Sequence, residues 1–222
     1  MVKMNIKQIM VNQVRKPNGR LGKIIAKGMN RGHSKLAKWG ISHLSLKSDF
    51  KILDFGCGGG ANIKNFAKII TNGKVFGIDY SEMSVYVSRK INKKNIKKGI
   101  VEISQGSVSS LPFENNFFDL VSGFEAYYFW PDLIPDLKEI YRVLKPSGYL
   151  LLVNEGYIGD NEEKRKQAEN WAKLGHFTIH APEEYKEFLE KAGYSNIQIF
   201  ENHERGWITT ISSKSIKFPT LD

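Results

Sequence analysis

Residues 51–63 read KILDFGCGGGANI: an apolar run, one aspartate, then four glycines within five residues. A glycine cluster directly after a strand lets backbone come close to a ligand. Gly56 to Ala61 satisfy G-x-G-x-x-A, the form of the dinucleotide fingerprint. Asp79 lies 19 residues beyond Gly60 and closes a second apolar run, KVFGID (74–79). A carboxylate there can accept hydrogen bonds from both hydroxyls of a ribose. Together the two features point to an adenosine cofactor, and both NAD and S-adenosylmethionine (SAM) fit them.

Asp54 separates the two. It stands two residues before the first glycine, at the mouth of the strand. A pyrophosphate would be repelled there, at a cost of up to about 4 kcal/mol per charge at ~4 Å and an effective dielectric near 20. SAM carries an ammonium and a sulfonium instead, so an acid attracts it. The alternative role for Asp54 is structural, its carboxylate accepting backbone N–H groups of the loop.

From residue 51 onward, short apolar runs alternate with helical segments, the pattern of parallel βαβ units. KILDF (51–55), KVFGID, IVEIS (100–104), FDLVSGF (118–124) and YLLLVNE (149–155) read as strands. Ser81 is placed as an N-cap. A helix over 132–144 runs through the KPSG turn into the fifth strand. Residues 160–192 read as helices, with Pro182 in the first turn of the second. NIQIF (196–200) and GWITTIS (206–212) lie five residues apart, too close for a parallel crossover, so they form an antiparallel hairpin. Residues 1–48 carry short helical patterns broken at RKPNGR and GMNRGH. Ile24, Ile25, Gly28 and Met29 are expected on one face, and Leu36, Trp39 and Leu44 in a following helix. The expected division is a basic helical cap, 1–48, and a cofactor-binding domain, 49–222.

The net charge of +10 is localised. Residues 1–50 hold 11 Lys and Arg against Asp49 alone, while the remaining residues hold 22 of each sign. The basic segment could steer an anionic substrate, RNA or a lipid surface, or simply be a solvated helix surface. Cys57 is the only cysteine, which excludes disulfides within the chain and cysteine-rich zinc sites; no metal is expected. The first ten residues lack the apolar core of a secretory signal, and no run reaches the ~18 apolar residues of a membrane span. A cytoplasmic protein is the expectation.

The succession ILDFGCGGG, VFGIDYSEMS, SVSSLPFENNFFDLVSG and LKEIYRVLKPSGYLLLVNE resembles the class I SAM-dependent methyltransferases, especially the branch of quinone-biosynthesis and small-molecule enzymes. The resemblance spans about residues 50–156. It implies an α/β, Rossmann-like sheet of seven strands in the order 3-2-1-4-5-7-6, the last antiparallel, flanked by helices. It also implies that Gly56, Gly58 and Gly60 admit the methionine portion of SAM, with Asp54 beside them, and that Asp79 holds the ribose. Tyr80 and Met83 would flank the adenine, and Phe124 would meet the methionine end. Where the family often has an acid for the adenine amino group, this chain has Ser107, followed by Val108.

Methyl transfer is an in-line displacement that chiefly requires positioning, with removal of a proton for some acceptors. The acceptor is expected beneath the cap, beside FEAYYFWPD (124–132), whose aromatic residues suit an apolar or planar molecule. Glu125, His33 and Tyr128 are the catalytic candidates; Glu155, His176 and His180 are further possible bases. The run after the fourth strand is not the Asn-Pro-Pro-Tyr motif of amino-group methylation in DNA. A small-molecule acceptor is therefore the first expectation. The alternatives are an RNA or other polyanion recruited by the basic segment, and a non-catalytic cofactor-binding module.

Overall fold

A computed structural model describes residues 6–130 and 132–215. The first five residues of the expected cap and the last seven of the expected domain lie outside it. The glycine run opens between β1 (Lys51–Phe55) and α4 (Ala61–Ile69). Then follow β2 (Lys74–Asp79), α5 (Glu82–Ile91), α6 (Lys93–Lys97), β3 (Val101–Gln105) and β4 (Phe118–Phe124). The second half comprises α7 (Leu133–Val143), β5 (Leu144–Glu155), α8 (Glu162–Gly175), α9 (Pro182–Lys191), β6 (Tyr194–Asn202) and β7 (Trp207–Lys214). Ahead of β1 stand α1 (Ile6–Arg15), α2 (Gly19–Gly32) and α3 (Ser34–Ile41).

The strands form one sheet in the order β3-β2-β1-β4-β5-β7-β6. β1 pairs in parallel with β2 and β4, which puts Asp54 in register with Gly77 and Ser122. β7 runs antiparallel to both β5 and β6. This is the sheet that the resemblance implied. The hairpin at its edge is the one dictated by a connection too short for a crossover.

β1 is buried on both faces, as a central parallel strand must be. Leu53 and Phe55 pack with Val121, Leu137 and Tyr185 on one side, while Ile52 packs with Phe66, Leu120 and Leu151 on the other. The second cluster includes Leu36 of α3, and Gly40 of α3 lies so close to β5 that a Cβ there would stand 2.4 Å from Val153. The last helix before β1 is thus part of the sheet's own packing.

Three local readings differ from the sequence expectation, the first being Leu44, which lies beyond the end of α3 at Ile41. KPSG is an excursion within β5 rather than a turn before it: pairing steps from Phe118↔Leu144 to Leu120↔Tyr149, with Ser147 at φ 62°. On α2, Ile25 is half-buried and Ala26 buried, but Ile24 and Gly28 face outward. At 100° per residue the inward stripe runs through Gly22, Ala26 and Met29, which carries Ile24 to the opposite side.

Candidate active site

The carboxyl ends of β1, β2 and β4 surround a cavity of about 300 Å³, roofed by the N-terminal helices. Its floor is the loop that β1 feeds into α4. Gly56 and Gly58 have φ of 58° and 51°, a region that L side chains enter at a cost. A Cβ on Gly58 would find only the Gly56 carbonyl, at 4.0 Å, so the loop leaves open space toward the cavity. Gly60 is placed differently. It lies off the cavity wall, and a Cβ there would stand 2.1 Å from the Ser88 hydroxyl oxygen, so its glycine serves the packing of α4 against α5.

Asp79 is buried at the end of β2. One carboxylate oxygen accepts from Gly58 N–H at 2.8 Å and the other from Ser81 N–H at 2.8 Å. Burial pushes its pKa up, while those two N–H bonds pull it back. The turn after Asp79 also holds the roof. The Ser81 hydroxyl donates to the Pro17 carbonyl at 2.7 Å and the Tyr80 hydroxyl to the Arg15 carbonyl. Ser81 in addition caps α5 by accepting from Ser84 N–H.

Asp54 is fully enclosed, and burial raises its carboxyl to about 8. Its hydrogen-bond donor is the Ser122 hydroxyl, 3.0 Å away; no backbone N–H of the loop reaches it among the described residues. The loop-capping role considered for Asp54 therefore has no bond to support it. Neither Asp54 nor Asp79 forms an ion pair with Lys or Arg among the described residues. Two carboxylates without a cation, over a glycine floor with room for a ligand, suit a cationic, hydroxyl-bearing group and disfavour a pyrophosphate. The residues present fit SAM.

Tyr80, Ser107, Val108 and Phe124 line the cavity with Asp54, Gly56, Gly58 and Asp79. The Ser107 hydroxyl accepts from Ser109 N–H at 3.2 Å, shaping the loop after β3. Met83, one turn into α5, does not line the cavity. Glu125 does, with φ of 54°, an unusual conformation for a side chain of its size and a frequent mark of functional positions. Its N–H bonds the Val153 carbonyl, its carboxylate accepts from Glu155 N–H, and burial raises its pKa to about 8. His33, at the junction of α2 and α3, lines the roof, and burial lowers its pKa against a weaker pull from Glu155.

Tyr128 points elsewhere: its hydroxyl donates to the carbonyls of Glu155 and Gly156 at 2.9 and 3.2 Å. Tyr127 is buried in the core beside it, bonded to Tyr185 and His180. His176 caps the end of α8 and, like His180 and Glu155, is not on the cavity wall. Of the aromatic run, Phe129 and Trp130 do reach the cavity, Trp130 packing edge-on to Phe55. The sequence reading missed Val14, Arg15 and Pro17, since nothing in RKPNGR distinguishes a roof contact from a helix break. Asn62 and Ser84 also escaped it, although both lie one turn or less into helices that open at the cavity.

A methyltransferase-domain family model matches residues 53–152, from the middle of β1 to the middle of β5. Among curated proteins, the demethylmenaquinone methyltransferase of Staphylococcus saprophyticus is 26% identical over 188 residues, covering 75% of this chain and 79% of that protein. Cycloartenol-C-24-methyltransferase 1 of Oryza sativa subsp. japonica is 34% identical over 120 residues, covering 54% of this chain but 34% of its own length. A SAM-dependent methyltransferase from Aquifex aeolicus shares the fold with a TM-score of 0.69 at 18% identity, covering 86% of this chain and 97% of that one. The chain carries a methyltransferase domain over residues 53–152 on the fold of the SAM-dependent methyltransferases, and SAM is its cofactor.

Proposed function

We propose that the protein methylates a small, largely apolar or planar organic molecule held between the glycine floor and the α2 roof. One observation carries this reading: the cavity that presents Asp54 and Asp79 also presents Phe124, Phe129, Trp130 and Met29. The polar end is built for a cationic nucleoside and the apolar end for an acceptor of its own kind. The relatives named for quinone and sterol methylation fit an acceptor of that type.

SAM supplies an electrophilic methyl group on a sulfonium. The chain's part is to orient and to exclude water. Asp79 binds the ribose hydroxyls with its free lone pairs, its own position fixed by Gly58 and Ser81. Asp54 faces the ammonium end, and Tyr80, Ser107 and Val108 enclose the base. Glu125 is the group placed to take a proton from the acceptor. It lines the cavity, is anchored by Glu155 N–H, and its pKa of about 8 suits a base near neutral pH. His33 faces the same space from the roof. Of the expected cap, α1 and α2 act as the roof that closes over both ligands.

The test is to incubate the enzyme with a metabolite extract and methyl-labelled SAM and follow the label by mass spectrometry. A labelled small product is expected; label found only in RNA overturns the reading. Calorimetry adds a second test: S-adenosylhomocysteine should bind and NAD should not.

A further inference from the structure

α2 has two working sides. Ala26 and Met29 line the cavity, while the other side carries Arg20, Lys23, Lys27 and Arg31 at spacings of three, four and four, which is one stripe of an α-helix. No acid occurs in residues 1–48 to balance them. Amid the cations stands Ile24, 68% exposed, with Leu21 beside it at 41%. Ile24 and Leu21, one turn apart, give the wet face an adjoining aliphatic pair beside its cations. The surface continues onto α5. The Lys23 ammonium lies 5.6 Å from the ring centre of Tyr86, itself 42% exposed, and Lys90 lies 4.6 Å from the same ring.

We propose that this face docks the protein onto an anionic lipid bilayer. The cations match the lipid phosphates, Ile24 and Leu21 enter the headgroup–acyl boundary, and Tyr86 sits at headgroup level, the pattern of an interfacial amphipathic helix. A nucleic acid would use the cations equally but offers no apolar layer for Ile24. The cavity then lies one helix diameter, about 10 Å, behind the membrane surface. Docking stands on this face alone; that it supplies an apolar acceptor rests on the function proposed above.

Vesicles of equal parts phosphatidylcholine and phosphatidylglycerol, and vesicles of phosphatidylcholine alone, test it by co-sedimentation. The protein should sediment with the mixed vesicles and not with the neutral ones. Reversing Lys23, Lys27 and Arg31 to Glu should abolish binding, since each cation contributes roughly fivefold in partitioning. Ile24→Asp, which leaves every cation in place, should weaken binding by about tenfold or more. Both variants should bind S-adenosylhomocysteine like the parent, and that measurement also reports folding; if the triple variant fails it, Ile24→Asp alone decides. Failure to sediment with mixed vesicles overturns the proposal, as does Ile24→Asp binding them undiminished. So does retention on polyuridylic acid with no vesicle binding. Loss of S-adenosylhomocysteine binding in the parent would instead remove the methyltransferase reading and leave the docking result standing.

Discussion

Asp54 carries the sharpest residue-scale consequence. Burial holds its carboxyl at about 8, so at neutral pH the free protein keeps a proton there. A bound ammonium lowers that pKa, so binding below pH 8 must expel the proton, and affinity should fall roughly tenfold per pH unit below that point. Calorimetry of S-adenosylhomocysteine in buffers of different ionisation enthalpy will show proton release at pH 7, and Asp54→Asn should abolish both the release and the slope. The same shift acts on stability in a definite direction. The folded chain retains a proton that the unfolded chain surrenders near ~3.9, so unliganded protein loses stability as pH rises from there toward 8. Asp79→Ala removes the proposed ribose partner and the anchor of Gly58 N–H, and should weaken S-adenosylhomocysteine about 10- to 100-fold. Asp54 and Asp79 were legible because an acid at a strand's end beside glycines has few structural uses. Tyr128 was not, because sequence does not say which aromatic of YYFW turns inward; its hydroxyl is taken up by the carbonyls after β5.

At the scale of elements, the loop between β1 and α4 is tied to α5. Asn92 donates to the Gly60 carbonyl at 2.9 Å, and Ser88 stands where a Cβ on Gly60 would fall. Gly60→Ala should therefore cost about 2–4 kcal/mol of unfolding free energy in a denaturant melt, from backbone strain at φ 78° plus the clash. Gly58→Ala faces open space and should cost only the strain, about 1–2 kcal/mol, while its cofactor affinity drops more. The glycine spacing announces a special loop without assigning its members, since G-x-G-x-x-A is met equally by a glycine that touches ligand and one that touches a helix. The strands were readable from their apolar runs and the hairpin from its short connection. The KPSG excursion was not, because Pro and Gly punctuate a turn and a bulge alike.

Along the chain, charge is segregated: residues 51–222 are balanced, and the surplus lies in residues 1–50. A water-soluble acceptor analogue should then show a KM nearly independent of salt, because the proposed acceptor end is walled by Phe124, Phe129 and Trp130. Catalysis on a polyanion would instead collapse as salt rises. The sheet order was legible from the motifs because each sits at a strand end fixed by the fold. The placement of the roof was not, because its bonds run from hydroxyls to the carbonyls of Arg15 and Pro17, and a carbonyl is present in every residue. Those two bonds begin in the turn that also holds Asp79. A nucleoside seated there leaves only as fast as the roof lifts, so the spent cofactor should have a long residence time and turnover should open with a burst. Tyr80→Phe combined with Ser81→Ala should shorten that residence in stopped-flow displacement and flatten the burst; an unchanged off-rate would mean that the roof does not govern exit.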